Sequence, residues 1–216
     1  MATYPSLKGK VIAISGAASG MGLELTTHLY LMGCKLSLAD VNKIALDTAV
    51  QQITSETAPD SYEVGADVLT KAVDVRSSAK VDEWIESTVK YFGRLDGAAN
   101  FAGIIGHPRN VTELSNDEWK LVQDVNLNGT FYALRAQLIA MGEGPGSIVN
   151  TASVAGLSGG YGGAAYTMSK HGVIGLTKAA AKEVGHLGIR VNALAPYVAP
   201  HQLKKWSLLT TIQGCH

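Results

Sequence analysis

A chain of 216 residues with 46% hydrophobic and 17% charged residues can bury a sizeable core, and the simplest reading is one soluble domain over 1–216. Its 18 Lys and Arg balance its 18 Asp and Glu, which argues against a nucleic-acid partner or an anionic membrane surface. Cys34 and Cys215 make no disulfide framework and the six His show no metal spacing, so no metal is expected and a reducing, cytoplasmic setting is the default.

From the N-terminus, no signal-peptide core is visible in residues 1–10 and no apolar run reaches the length of a membrane span. Residues 10–15 form a short apolar run that reads as a buried parallel strand. The turn Gly16-Ala17-Ala18-Ser19-Gly20-Met21-Gly22 follows, then a helix to about Met32, stopped by Gly33. Residues 35–39 give a second strand, which Asp40 ends. Glycines in such a turn let the backbone bend tightly and approach a pyrophosphate, while the helix start offers free N–H groups. Asp40 lies eighteen residues past Gly22, near the spacing of a carboxylate that holds an adenosine ribose. A carboxylate there accepts from a free 2′-hydroxyl and repels a 2′-phosphate. No Arg follows Asp40 directly, so NAD(H) is favoured; Lys43 keeps NADP(H) possible.

The pattern continues with a helix capped by Asn42 and a polar connection over 57–67. A third strand over 69–75 ends in Asp74-Val75, and an amphipathic helix spans 77–92. A fourth strand over 95–99 leads into Asn100-Phe101-Ala102-Gly103. Ser115 with Glu118 three residues on is a capping-box signature for one long helix to about Met141, with Asn126 in its middle. A fifth strand covers 146–150, a helix 166–184 and a sixth strand 189–194. Alternating strands and helices predict an α/β fold: a doubly wound parallel sheet flanked by helices, with ligands beyond the strand carboxyl ends.

Tyr166 and Lys170 stand four residues apart, on one face of a helix. An ammonium beside a phenol favours the phenolate, so the pair predicts a Tyr166 pKa below the ordinary 10 or so and a phenol able to exchange a proton with an alcohol or ketone. Ser153, thirteen residues upstream, could hold the same substrate oxygen. Alone, the Tyr-x-x-x-Lys spacing is weakly specific.

Taken together, Ser15 to Gly22, Asn100-Phe101-Ala102-Gly103, Asn126, Ser153, Tyr166, Lys170 and the segment 190–196 resemble the short-chain dehydrogenase/reductase (SDR) family over roughly residues 6–196. Phe101 departs from the commoner Asn. The resemblance implies a Rossmann fold and an oxidoreductase interconverting a secondary alcohol and a ketone. It implies Tyr166 as general acid/base, Lys170 as the residue that lowers the Tyr166 pKa and bonds the nicotinamide ribose, Ser153 as orienter of the carbonyl, and Asn126 as holder of a water in a proton relay. It also implies cofactor contacts from Gly16, Ser19, Gly20, Met21, Gly22, Asp40, Asp74, Val75, Asn100, Ala102 and Gly103. Residues 104–112 and 154–164, with Ile104, Ile105, His107, Leu157 and Tyr161, should flank a pocket for a small, largely apolar substrate. A homodimer or homotetramer through the long central helices is expected. After Pro196 the family pattern stops, and the sequence shows neither a seventh strand nor a full substrate lid. Two readings follow: a working enzyme with a shortened substrate side, or a truncated cofactor-binding product that acts by association.

Overall fold

Six short strands pair side by side, all parallel, in the order β3-β2-β1-β4-β5-β6. They are β1 (Val11–Ser15), β2 (Lys35–Asp40), β3 (Val68–Ala72), β4 (Gly97–Asn100), β5 (Gly146–Thr151) and β6 (Ile189–Leu194). This computed structural model describes residues 7–57, 68–159 and 163–197. Tyr161, Cys215 and the segment after 197 lie outside the described residues.

Strand alternation divides the core in two. On one face Val11, Ala13 and Ile148 pack with Trp84 and Leu134; on the other Ile14, Leu36 and Leu38 pack with Leu29 and Leu46. Helices α1 (Gly20–Leu31) and α2 (Lys43–Thr57) cover the second face over β1 to β3. Helices α3 (Ser78–Phe92), α5 (Gly129–Met141) and α6 (Ala164–Val184) cover the first. Among the described residues β6 pairs with β5 alone, and none of their helices is long and apolar enough to cross a membrane.

Local chemistry accounts for the boundaries. Gly33 leaves α1 at a φ of 78°, a left-handed conformation that glycine adopts without strain. Asn42 accepts from the Ala45 N–H and starts α2, as expected. The third strand is shorter than its apolar pattern suggests. It ends at Ala72, and Asp74 turns the chain by accepting from the Arg76 N–H.

The long helix expected from 115 to 141 is not continuous. It divides into α4 (Asn116–Gln123), a π-helical turn (Asp124–Asn128) and α5, with the Gly129 N–H bonded to the Asp124 carbonyl. The extra residue in that turn rotates Asn126 fully into the interior. Gly129 then brings the helix against Val75: a Cβ there would lie 2.8 Å from a Val75 methyl.

Candidate active site

In the sheet register, Ala39 pairs with Ser15, Ser15 with Asn100, and Asn100 with Asn150. The residues that follow that row leave the sheet together at its carboxyl edge. Asp40, the glycine turn, the 101–103 turn and Ser153 therefore converge on one side, as the topology requires.

The glycine turn is built by close backbone approach. Gly16 has a φ of 68°, and a Cβ on it would lie 2.7 Å from the Ala102 nitrogen. A Cβ on Gly22 would lie 2.1 Å from the Gly16 carbonyl oxygen, so α1 can pack this near only with glycine there. Ser19 precedes α1, its hydroxyl makes no capping bond, and the first turn holds no acidic residue. The N–H groups of Gly20 and Met21 thus face no competing side-chain anion. Asp40 ties this turn to the next: one carboxylate oxygen accepts from the Ala18 N–H at 3.1 Å, the other from the Asn42 N–H at 3.0 Å. These features fit the pyrophosphate and ribose of a dinucleotide.

Three expected cofactor contacts are placed differently from one another. The Asp74 carboxylate is held by the Arg76 guanidinium, which lowers its pKa through that hydrogen bond. Val75 is buried and packs against Gly129. Asn100 turns its side chain into the protein, where its amide exchanges hydrogen bonds with Gln137 and donates to Asn150 at 2.8 Å. Asn150 in turn donates to Thr177. Asn100 thus fixes the 101–103 turn from beneath, while the backbone of Ala102 and Gly103 lines the edge.

Tyr166 and Lys170 sit in the first two turns of α6, with Ser153 opposite, at the start of the connection from β5. The Ser153 hydroxyl stands beside the Tyr166 phenol and accepts from the Ala155 N–H at 3.2 Å. Lys170 is 4% exposed and donates to the Thr151 carbonyl at 2.6 Å. Its Nζ lies 5.6 Å from the Tyr166 ring centroid. Burial pushes the Lys170 ammonium down to about 8.

Here one expectation needs correction. Burial raises the Tyr166 pKa above its ordinary value, and the neighbouring Ser153 hydroxyl offsets only part of that rise. The reason is geometric: the ammonium is anchored on Thr151 rather than on the phenol oxygen, so desolvation prevails.

Asn126 is also more committed than its sequence position suggests. Its Oδ1 accepts from the Ile104 N–H at 2.8 Å, and its Nδ2 donates to the Ile104 carbonyl at 2.8 Å and to Ser169 at 3.0 Å. Ser169 donates onward to the Tyr166 carbonyl. A Cβ placed on Gly103 would lie 3.2 Å from Asn126 Oδ1 and 3.6 Å from Lys170 Nζ, so these two groups flank the same glycine. Sequence reasoning missed Ser169, Gln123 and Gly156. Gln123 donates to the Ala165 carbonyl at 2.8 Å, and a Cβ on Gly156 would lie 2.6 Å from the Lys170 carbonyl. The one available signal was a serine inside the Tyr166–Lys170 interval.

The family model for short chain dehydrogenases matches residues 10–206. The chain belongs to the short-chain dehydrogenase family. This short-chain dehydrogenase is 47% identical over 190 residues to the short-chain dehydrogenase/reductase aba4 of Botryotinia fuckeliana (strain B05.10), covering 87% of this chain and 70% of that protein. It superimposes on the crystal structure of levodione reductase with a TM-score of 0.82 at 39% identity, covering 88% of this chain and 72% of that one. Carveol dehydrogenase from Mycobacterium avium in complex with NAD gives 0.81 at 30% identity, with 88% and 71% covered. Family membership makes the chain an NAD(P)-dependent oxidoreductase acting on CH–OH groups.

Proposed function

We propose that this chain interconverts a secondary alcohol and a ketone on a small, largely apolar substrate, using NAD(H) in preference to NADP(H). The observation that carries the reading is Ser153 beside the Tyr166 phenol, with the buried Lys170 anchored behind them, at the sheet edge that holds the glycine turn. When bound, the nicotinamide supplies or accepts the hydride. Tyr166 gives its proton to the substrate oxygen in reduction and takes it back in oxidation. Ser153 holds that oxygen in line with the phenol. Lys170 keeps a positive charge beneath the site and, with a pKa pushed to about 8, can pass a proton on near neutral pH. Asn126 stands behind Lys170 and Gly103 and fixes the wall through Ile104 and Ser169.

Gly16, Ser19, Gly20, Met21 and Gly22 would hold the pyrophosphate. Asp40 keeps lone pairs for a ribose hydroxyl and repels a 2′-phosphate. A homodimer through α4, α5 and α6 accords with exposed Leu121 on α4, Phe131 and Ile139 on α5 and Met168 on α6. The test is titration with NADH and NADPH by nicotinamide fluorescence, followed by carveol oxidation and levodione reduction. Tighter NADH binding, and turnover that Tyr166→Phe abolishes, are expected. Tighter NADPH binding overturns the Asp40 argument, and turnover that survives Tyr166→Phe overturns the mechanism.

A further inference from the structure

Ser115 and Glu118 carry a capping-box pattern, but only half of the box forms. Ser115 Oγ accepts from the Glu118 N–H at 3.2 Å, as such a cap requires. The Glu118 carboxylate then reaches away from its own helix end. Its Oε1 accepts from the His107 backbone N–H at 2.6 Å and lies 3.3 Å from the His107 ring nitrogen; its Oε2 lies 3.4 Å from the Arg109 guanidinium. Its side chain is 16% exposed, while those of His107 and Arg109 are 82% and 50% exposed. The loop touches the helix here as well. Gly106 has a φ of 78°, and a Cβ on it would lie 3.1 Å from a Val122 methyl and 3.4 Å from Glu118 Oε1.

The same loop is held a second time, at Ile104, by Asn126. Glu118 and Asn126 lie eight residues apart on the unit formed by α4 and the π-turn, so one rigid rod grips the loop at both points. Between the grips the exposed Ile105 is presented, and just before them lies Gly103, beside Lys170. We propose that Glu118 is a positioning residue for the substrate side of the site: it latches 104–109 in place and thereby sets the apolar wall that selects the substrate. The inference rests on the reading that this loop flanks the substrate.

The latch is tested in the full chain with Glu118→Ala and Glu118→Gln. Amide hydrogen exchange over 104–109, NADH affinity, melting temperature and steady-state oxidation of carveol are measured on each. In Glu118→Ala, exchange at His107 should quicken by about tenfold or more, the worth of one charge-assisted hydrogen bond. KM for carveol should rise by a similar factor, with kcat within about twofold and NADH affinity unchanged. Glu118→Gln keeps an acceptor for the His107 N–H but drops the charge facing Arg109, so it should recover part of the KM. Unchanged exchange in Glu118→Ala overturns the latch. Unchanged KM, or a fall in NADH affinity and melting temperature that parallels the KM rise, overturns its role in substrate selection. If the wild type turns over neither carveol nor levodione, the proposed function fails, and the exchange comparison still decides the latch by itself.

Discussion

Removal of the Asn126 amide should disturb the site more than loss of any exposed side chain. Asn126 is fully buried and makes three hydrogen bonds, two of them to the backbone of Ile104. Asn126→Ala leaves the Ile104 N–H and carbonyl and the Ser169 acceptor site without that partner. Ile104 is only partly buried, so its groups can reach water if the loop moves, and the loss is about 2–4 kcal/mol rather than the full sum of three orphaned groups. For a chain of this length that is a melting temperature lower by roughly 4–16 °C. The loop that moves begins at Gly103, beside Lys170, so activity should fall further than stability does. Asn126→Asp sharpens the test. At pH 8 it keeps an acceptor for the Ile104 N–H but sets a carboxylate against the Ile104 carbonyl. Burial raises the pKa of that new acid, so its penalty is present at neutral pH and eases as pH falls through the raised value. Thermal melts of both variants at pH 8 and pH 5 decide the matter. An Asn126→Ala melting temperature within about 2 °C of wild type, or Asn126→Asp indifferent to pH, would refute the reasoning.

Three further expectations are open to direct measurement. The Lys170 pKa drops on folding from about 10.5 to about 8, so the folded state bears a burial penalty that is full below pH 8 and is lost as pH rises towards 10.5. Against Lys170→Met, the wild type should therefore gain stability by roughly 3 kcal/mol between pH 7 and pH 10, and chemical denaturation showing a flat difference would contradict this. Gly22→Ala puts a Cβ about where the Gly16 carbonyl stands, and no side-chain rotation relieves a backbone clash. NADH affinity should fall by at least tenfold with a stability loss of about 1–3 kcal/mol, and wild-type affinity would show that the turn is less tightly fixed. Cys34 is fully buried with its thiol pushed up to about 11, so the peptide carrying it should resist maleimide at pH 8 until denaturant is added. Rapid labelling of the native protein would show that the turn between α1 and β2 opens.

Much of the architecture is written in local pattern. Apolar runs of strand length, each followed by a helix-period stretch, lead to one parallel sheet because parallel neighbours need a crossover between them. That topology then brings Asp40, the glycine turn, Ser153 and Tyr166 to one edge, whatever the details of packing. What sequence misjudged depended on partners far along the chain. The apolar period after Ser115 implies a continuous helix because it does not register one extra residue. The π-turn follows from Asn126 seeking Ile104 and Ser169, 22 and 43 residues away. Lys170 alone implies a lowered Tyr166 pKa, yet burial raises it and the Thr151 carbonyl holds the ammonium.

Glu118 shows the same rule at its clearest. A local motif, Ser-x-x-Glu, has a local partner available, and the carboxylate instead takes a loop eleven residues upstream. A carboxylate gains more from a backbone N–H together with a nearby guanidinium than from a helix-end N–H alone. Once it is turned outward, the helix that brings Asn126 to Ile104 and Ser169 also carries the hold on the loop beyond them. The proposed proton-transfer side and the proposed substrate wall then share one rod. A substitution that shifts α4 along its axis should change both together, whereas one that only frees Glu118 should change the wall alone.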